Sequence, residues 1–147
     1  MLLNSWKSVT ARLSAVVMVV AAATTPVIAQ EVAGTLADAI VGTWVGEGTQ
    51  GESKFETRLT FVSPKGGVSR YPGYPCGGML TGDRKGDGYE FNEVVTWGGI
   101  DENPAGCIGG VIRISLDGNK MHYEWSTNYN GQDFNATGEL YRVEKAR

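Results

Sequence analysis

The side chain best suited to chemistry is Glu93. It lies in the run Gly88-Tyr-Glu-Phe-Asn-Glu-Val-Val-Thr-Trp97, where a period of two puts Tyr89, Phe91, Glu93, Val95 and Trp97 on one face of a strand. If that face is interior, a carboxylate stands among aromatic rings and needs a partner, because an unpaired buried charge is costly. Arg142, Arg70 and the hydroxyls of Tyr123 or Thr57 are candidate partners. Three roles are open to such a group: an anchor for a cationic or hydroxyl-bearing ligand, an acid of raised pKa, or a satisfied structural carboxylate.

The remaining polar residues offer less. His122 is the only histidine and alternates with Tyr123 and Trp125, which puts it on the solvent face with Lys120 and Glu124. One histidine and two cysteines suited to a disulfide do not make a zinc site. No Gly-x-Ser-x-Gly elbow presents a nucleophile. Asp83, Asp87 and Glu90 bracket a turn without the spacing of a calcium-binding loop, and Asp101, Glu102 and Asn103 read as a solvated loop. Asn135-Ala-Thr137 is a glycosylation sequon, relevant only in a eukaryotic secretory host. The expectation is a protein without catalytic residue, metal or cofactor, hence no enzyme. Its aromatic side chains either pack a core or line a ligand cavity.

The two cysteines set the compartment. Lys7 and Arg12 precede an apolar run, Leu13 to Ala23, and Val27-Ile28-Ala29 offers small residues where a signal peptidase cuts. The run is shorter than the roughly 20 residues of a membrane-spanning helix. Residues 1–29 are therefore expected to be a signal peptide, with no membrane span after its removal and a periplasmic or secreted destination. Two cysteines in an exported chain are most simply one disulfide, Cys76–Cys107. It would close a loop of about 32 residues, which the chain-entropy model values at roughly 3–4 kcal/mol. Without Lys7 and Arg12 the chain has eleven basic against sixteen acidic side chains, a net of −5. That balance argues against nucleic acid and anionic membrane surfaces as partners.

The elements that must position Glu93 are strands. Residues 30–41 form a lead-in segment in which Val32, Leu36 and Ile40 have the spacing of a short helix. From Gly42 to the end, a single domain of residues 42–147, short alternating runs are separated by turn residues every 8–12 positions. Eight strands are expected: 42–49, 54–63, 68–71, 76–82, 89–97, 107–116, 120–127 and 134–143. In the second, Phe55, Thr57, Leu59 and Phe61 face inward; in the seventh, Met121, Tyr123 and Trp125 share a face. Hairpin after hairpin, with no helix between, suggests an all-β, eight-stranded, up-and-down antiparallel barrel; a two-sheet sandwich without a cavity is the alternative. A barrel of this size is filled by side chains or holds one small ligand.

Alternating direction sorts residues to two ends. Cys76 and Cys107 open the fourth and sixth strands at the end where the fifth finishes with Trp97, beside the Tyr71-Pro-Gly-Tyr-Pro75 loop and loop 98–106. Strands four and six lie about 9–10 Å apart, beyond the 4.4–6.8 Å a disulfide spans between Cα atoms. The cysteines must therefore lean over the end of the fifth strand or sit in loops. The opposite end receives Trp44 and Arg142, neighbours if the barrel closes, with the guanidinium over the indole.

With Gly42-Thr43-Trp44 on strand one and Arg142 on the last, the chain resembles lipocalin and avidin-like barrels, in which such an arginine packs on such a tryptophan at the closed end. A wider set of residues is similar to small uncharacterised exported bacterial domains, some of them extracytoplasmic parts of actinobacterial kinases. The set is Tyr71, Cys76-Gly-Gly-Met-Leu80, Glu93, Cys107-x-Gly-Gly-Val111, Tyr123-x-Trp125 and Leu140-x-Arg142. The resemblance implies an extracytoplasmic binding or sensing domain and carries over no catalytic residue.

The functional expectation is an exported, non-enzymatic binding protein holding a small apolar or amphipathic ligand in the barrel. Glu93, Tyr89, Phe91, Trp97, Tyr123, Trp125, Tyr71 and Tyr74 are its candidate contacts. The alternative is a protein-interaction or inhibitor module that uses the braced 71–76 and 98–106 rim, with Tyr74, Trp97 and Ile100 as anchors.

Overall fold

The computed structural model of the protein describes residues 39–144. The expected signal peptide and all but the last three residues of the lead-in segment lie outside the described residues; residues 39 and 40 form a turn. Eight strands follow: β1 Gly42–Gln50, β2 Ser53–Ser63, β3 Gly66–Tyr71, β4 Cys76–Lys85, β5 Gly88–Trp97, β6 Gly110–Asp117, β7 Lys120–Tyr129 and β8 Gln132–Arg142. Each pairs antiparallel with the next, and β1 pairs with β8 from Trp44↔Arg142 to Thr49↔Thr137. The barrel is thus closed and up-and-down, and the sandwich alternative falls. Closure leaves no strand with a free row of backbone donors and acceptors. Among the described residues no helix is long and apolar enough to cross a membrane.

Strand bounds differ from expectation near glycines: β3 starts at Gly66 and not at Val68, and β5 at Gly88 and not at Tyr89. β4 runs on to Lys85, and its hairpin turns on Gly86–Asp87 alone. The β7–β8 turn is Asn130–Gly131, whose φ values of 53° and 80° fit the right-handed twist of the flanking strands. The sixth strand starts at Gly110, not at Cys107. Cys107 instead precedes β6 in a loop, forming an isolated parallel bridge with Gly99. That placement resolves the geometric problem of joining strands two apart: the disulfide spans 6.1 Å between Cα atoms.

One half of the barrel is solid. Ile40, Trp44, Leu59, Phe61, Leu80, Phe91, Ile112, Met121 and Leu140 are all essentially inaccessible to water. Phe61 and Phe91 lie 4.8 Å apart between centroids, and Tyr89 stacks on Phe91 at 6.2 Å. Arg142 seals this end, its guanidinium 4.3 Å from the centre of the Trp44 ring. Its Nη1 donates to the Val41 carbonyl at 2.6 Å and Nη2 to that of Ala39, while the Trp44 indole N–H donates to the Ile40 carbonyl at 2.8 Å. The lead-in residues are thereby drawn across the barrel mouth as a plug, and Ile40 fills it.

Candidate functional site

The other half is hollow. At the end where the odd strands finish, a cavity of about 340 Å³ opens to solvent, at the lower limit of the volume range of small-molecule sites. Its rim is made by the β1–β2 hairpin (Gln50, Ser53), the β3–β4 loop (Tyr74) and residues 105–108. Cys107 lines it directly, so the disulfide ties the β5–β6 loop to the start of β4 at the cavity mouth. Within that loop Glu102 accepts a hydrogen bond from the Gly98 N–H and Asn103 one from the Ala105 N–H. These acidic-loop residues thus cap backbone donors.

Two sets of glycines shape the interior. Gly48 of β1 and Gly138 of β8 face each other across the closing ladder. A Cβ on Gly48 would come within 2.3 Å of the Tyr123 hydroxyl, and one on Gly138 within 2.4 Å of its ring. Tyr123 therefore lies flat against a bare patch of wall, where its hydroxyl meets that of Thr57 at 3.3 Å. Gly110 does the same for Trp125: a Cβ there would stand 2.8 Å from the indole nitrogen. Because Gly110 pairs with Glu93 in the ladder, the indole crossing it delivers its N–H to the carboxylate.

Glu93 is 4 % exposed and sits on the cavity wall. The Tyr71 hydroxyl donates to Oε1 at 2.7 Å and the Trp125 indole N–H to Oε2 at 3.0 Å. Ser69 lies beside it, its own oxygen accepting the Gly78 N–H at 3.0 Å. Burial pushes the Glu93 carboxyl above its ordinary value, while the hydrogen bonds from Ser69, Tyr71 and Trp125 pull it down and offset part of that rise. Burial, the Glu93 charge and the bond to it push the Tyr71 phenol well above its ordinary value. Tyr123 is also raised, chiefly by burial. Among the described residues every donor to Glu93 is neutral.

None of the partners expected for Glu93 is the one found. Arg142 is at the far end, over Trp44. Arg70 points outward because Ser69 and Tyr71 take the inward positions of β3, and it lies 5.2 Å over the Trp97 ring. Tyr123 and Thr57 bond to each other.

Of the eight expected contacts, Glu93, Tyr71, Tyr74, Tyr123 and Trp125 line the cavity together. Tyr89 and Phe91 do not; they start β5 and so pack in the solid half. Trp97 does not either. The register of β4 on β5 shifts between Gly77↔Trp97 and Gly78↔Val95, and this bulge at Thr96 turns Trp97 out of the alternating face to 39 % exposure. Gln50, Ser53, Ile108 and Ala136 line the cavity without having been expected there; Phe55, expected to face inward, and Phe134 complete the wall. For Phe55 and Ala136 the period-two pattern carried the signal; for Gln50 and Ser53, turn residues, no pattern did. His122, expected in solvent, is half exposed and lies 3.3 Å from Glu139 on the outer surface.

Comparison of the chain with protein-family models, curated proteins and solved structures finds no match. The eight-stranded closed barrel implied by the lipocalin and avidin-like resemblance is present, without a demonstrated kinship to either.

Proposed function

We propose that the protein is an exported, non-enzymatic carrier or sensor that binds one small apolar or amphipathic molecule in the open half of its barrel. The observation that carries this reading is the division of the interior into a packed half and an aromatic-walled hollow one, with the hollow mouth braced by the disulfide. A barrel needing only a core would be filled to crystal-like density throughout. Export is supported by the basic and apolar N-terminal pattern and by the Cys76–Cys107 bond, which persists in oxidising compartments. The non-enzymatic part rests on the donors around Glu93. The Tyr71 hydroxyl and the Trp125 indole N–H both donate to it, the setting of a positioned carboxylate.

The test is fluorescence titration with N-phenyl-1-naphthylamine, a neutral dye that brightens in apolar surroundings. The expected result is saturable binding of one dye per chain, abolished by Ala136→Trp, which fills the cavity from β8. Ala136 lies opposite Trp125 and is buried. Binding unaffected by that substitution in a folded protein contradicts the reading.

Tyr74 and Trp97, exposed 42 % and 39 % at the same end, favour a second reading in which the rim docks a protein. It requires no occupied cavity, so a chain that binds no dye but captures a partner through these rings would support it.

A further inference from the structure

We propose that the molecule taken by this cavity is a protonated organic amine, its ammonium directed at Glu93 and its carbon body against the aromatic wall. The proposal rests on the ligand-binding reading above and adds the chemical class.

Four observations carry it. First, the cavity has a carboxylate in its wall and no lysine, arginine or histidine among its lining residues. The two cations expected as partners of Glu93 are committed elsewhere, Arg70 to the outer face of Trp97 and Arg142 to Trp44. Secondly, Glu93 is buried with neutral donors only, so its desolvation is offset by hydrogen bonds and never by a charge. A ligand cation would supply the missing opposite charge in a medium where Coulomb attraction is stronger than in water. Thirdly, a carboxylate offers about four lone-pair sites, and with Ser69 beside Tyr71 and Trp125 it has three donors at most among the described residues. Acceptor capacity remains for an ammonium N–H. Fourthly, the rest of the wall is Phe55, Tyr71, Tyr74, Tyr123, Trp125 and Phe134. Aromatic faces are negative at their centres and attract cations, most strongly where water is excluded. A carboxylate-bearing ligand would meet Glu93 as a like charge, and a neutral hydroxyl-bearing ligand would gain a hydrogen bond without the opposite charge.

The groups facing Glu93 are Ser69 and Tyr71 from β3, Leu80 from β4, Gly110 from β6 and Trp125 from β7. With Tyr123 nearby, the titratable ones are phenols whose pKa values are raised, so Glu93 is the group that changes charge between acid and neutral pH.

The experiment compares three probes of one length, octylamine, 1-octanol and octanoate, as competitors of N-phenyl-1-naphthylamine on the folded protein at neutral pH. The expected order is octylamine about tenfold or more tighter than octanol, as a charge-assisted hydrogen bond requires, with octanoate weakest. The octylamine-to-octanol ratio is expected to grow as pH is raised from the ordinary carboxyl value of 4.5 towards neutrality. Glu93→Gln, if it folds and still binds the dye, is expected to bring octylamine to the affinity of octanol. If that variant does not fold, the wild-type order and its pH course decide alone. Equal affinity for amine and alcohol, or octanoate binding tightest, overturns the proposal while leaving the apolar-ligand reading standing. A protein that binds neither dye nor any octyl probe overturns both.

Discussion

At the residue scale the molecule turns on one carboxylate and the rings that hold it. Glu93 is identifiable in the sequence because it is the one charge on the otherwise apolar alternating face of its strand. Its partners are not, because Tyr71 and Trp125 reach it across strands remote in sequence, one of them by lying over Gly110. The raised pKa has a measurable consequence. A carboxyl with a higher pKa folded than unfolded binds more protons in the native state through the interval between the two values. Stability from this group is therefore fully present below its ordinary 4.5, falls as pH rises through the raised value, and then levels off. Urea unfolding across that range is expected to show this fall in wild type and its absence in Glu93→Gln. Asp83 and Glu90, whose pKa values are lowered at exposed sites, are common to both proteins and cancel in the difference. Parallel pH profiles for the two would contradict the assigned titration.

At the scale of elements, the hairpins and their order follow from period-two alternation and turn residues, and this much was legible. What alternation cannot convey is a bulge. Thr96 adds one residue to β5, and every side chain beyond it changes face, which is why Trp97 leaves the expected wall. Nor does it convey the loop that precedes β6, where Cys107 stands apart from the ladder to reach Cys76. The disulfide closes a separation of 31 residues. Replacing both cysteines with alanine is expected to lower unfolding free energy by about 3–4 kcal/mol on the chain-entropy model. Because residues 105–108 form one wall of the cavity, the same variant is expected to bind the naphthylamine dye more weakly. A loss of stability with unchanged dye affinity would show that the bond braces the barrel without shaping its mouth.

At the scale of the whole molecule, the two ends of the barrel differ, and the proposed function assigns folding to one and binding to the other. Trp44, Arg142 and Ile40 seal one end, where packing is complete and the lead-in residues serve as a plug. The other end holds aromatic area out of the core, around a carboxylate that no cation among the described residues neutralises. Such a layout gives up core burial, worth about 25 cal/mol per Å² of apolar surface, and leaves an open cavity in its place. The central claim is that a ligand occupies that site and not the outer surface. Its most direct measurement is the set of indole N–H signals of Trp44, Trp97 and Trp125 in the nitrogen-15-labelled protein, titrated with N-phenyl-1-naphthylamine. The account predicts a large shift for Trp125, whose indole stands in the cavity wall, and none for Trp44 at the sealed end. A shift confined to Trp97 on the outer face, with Trp125 unmoved, would contradict it.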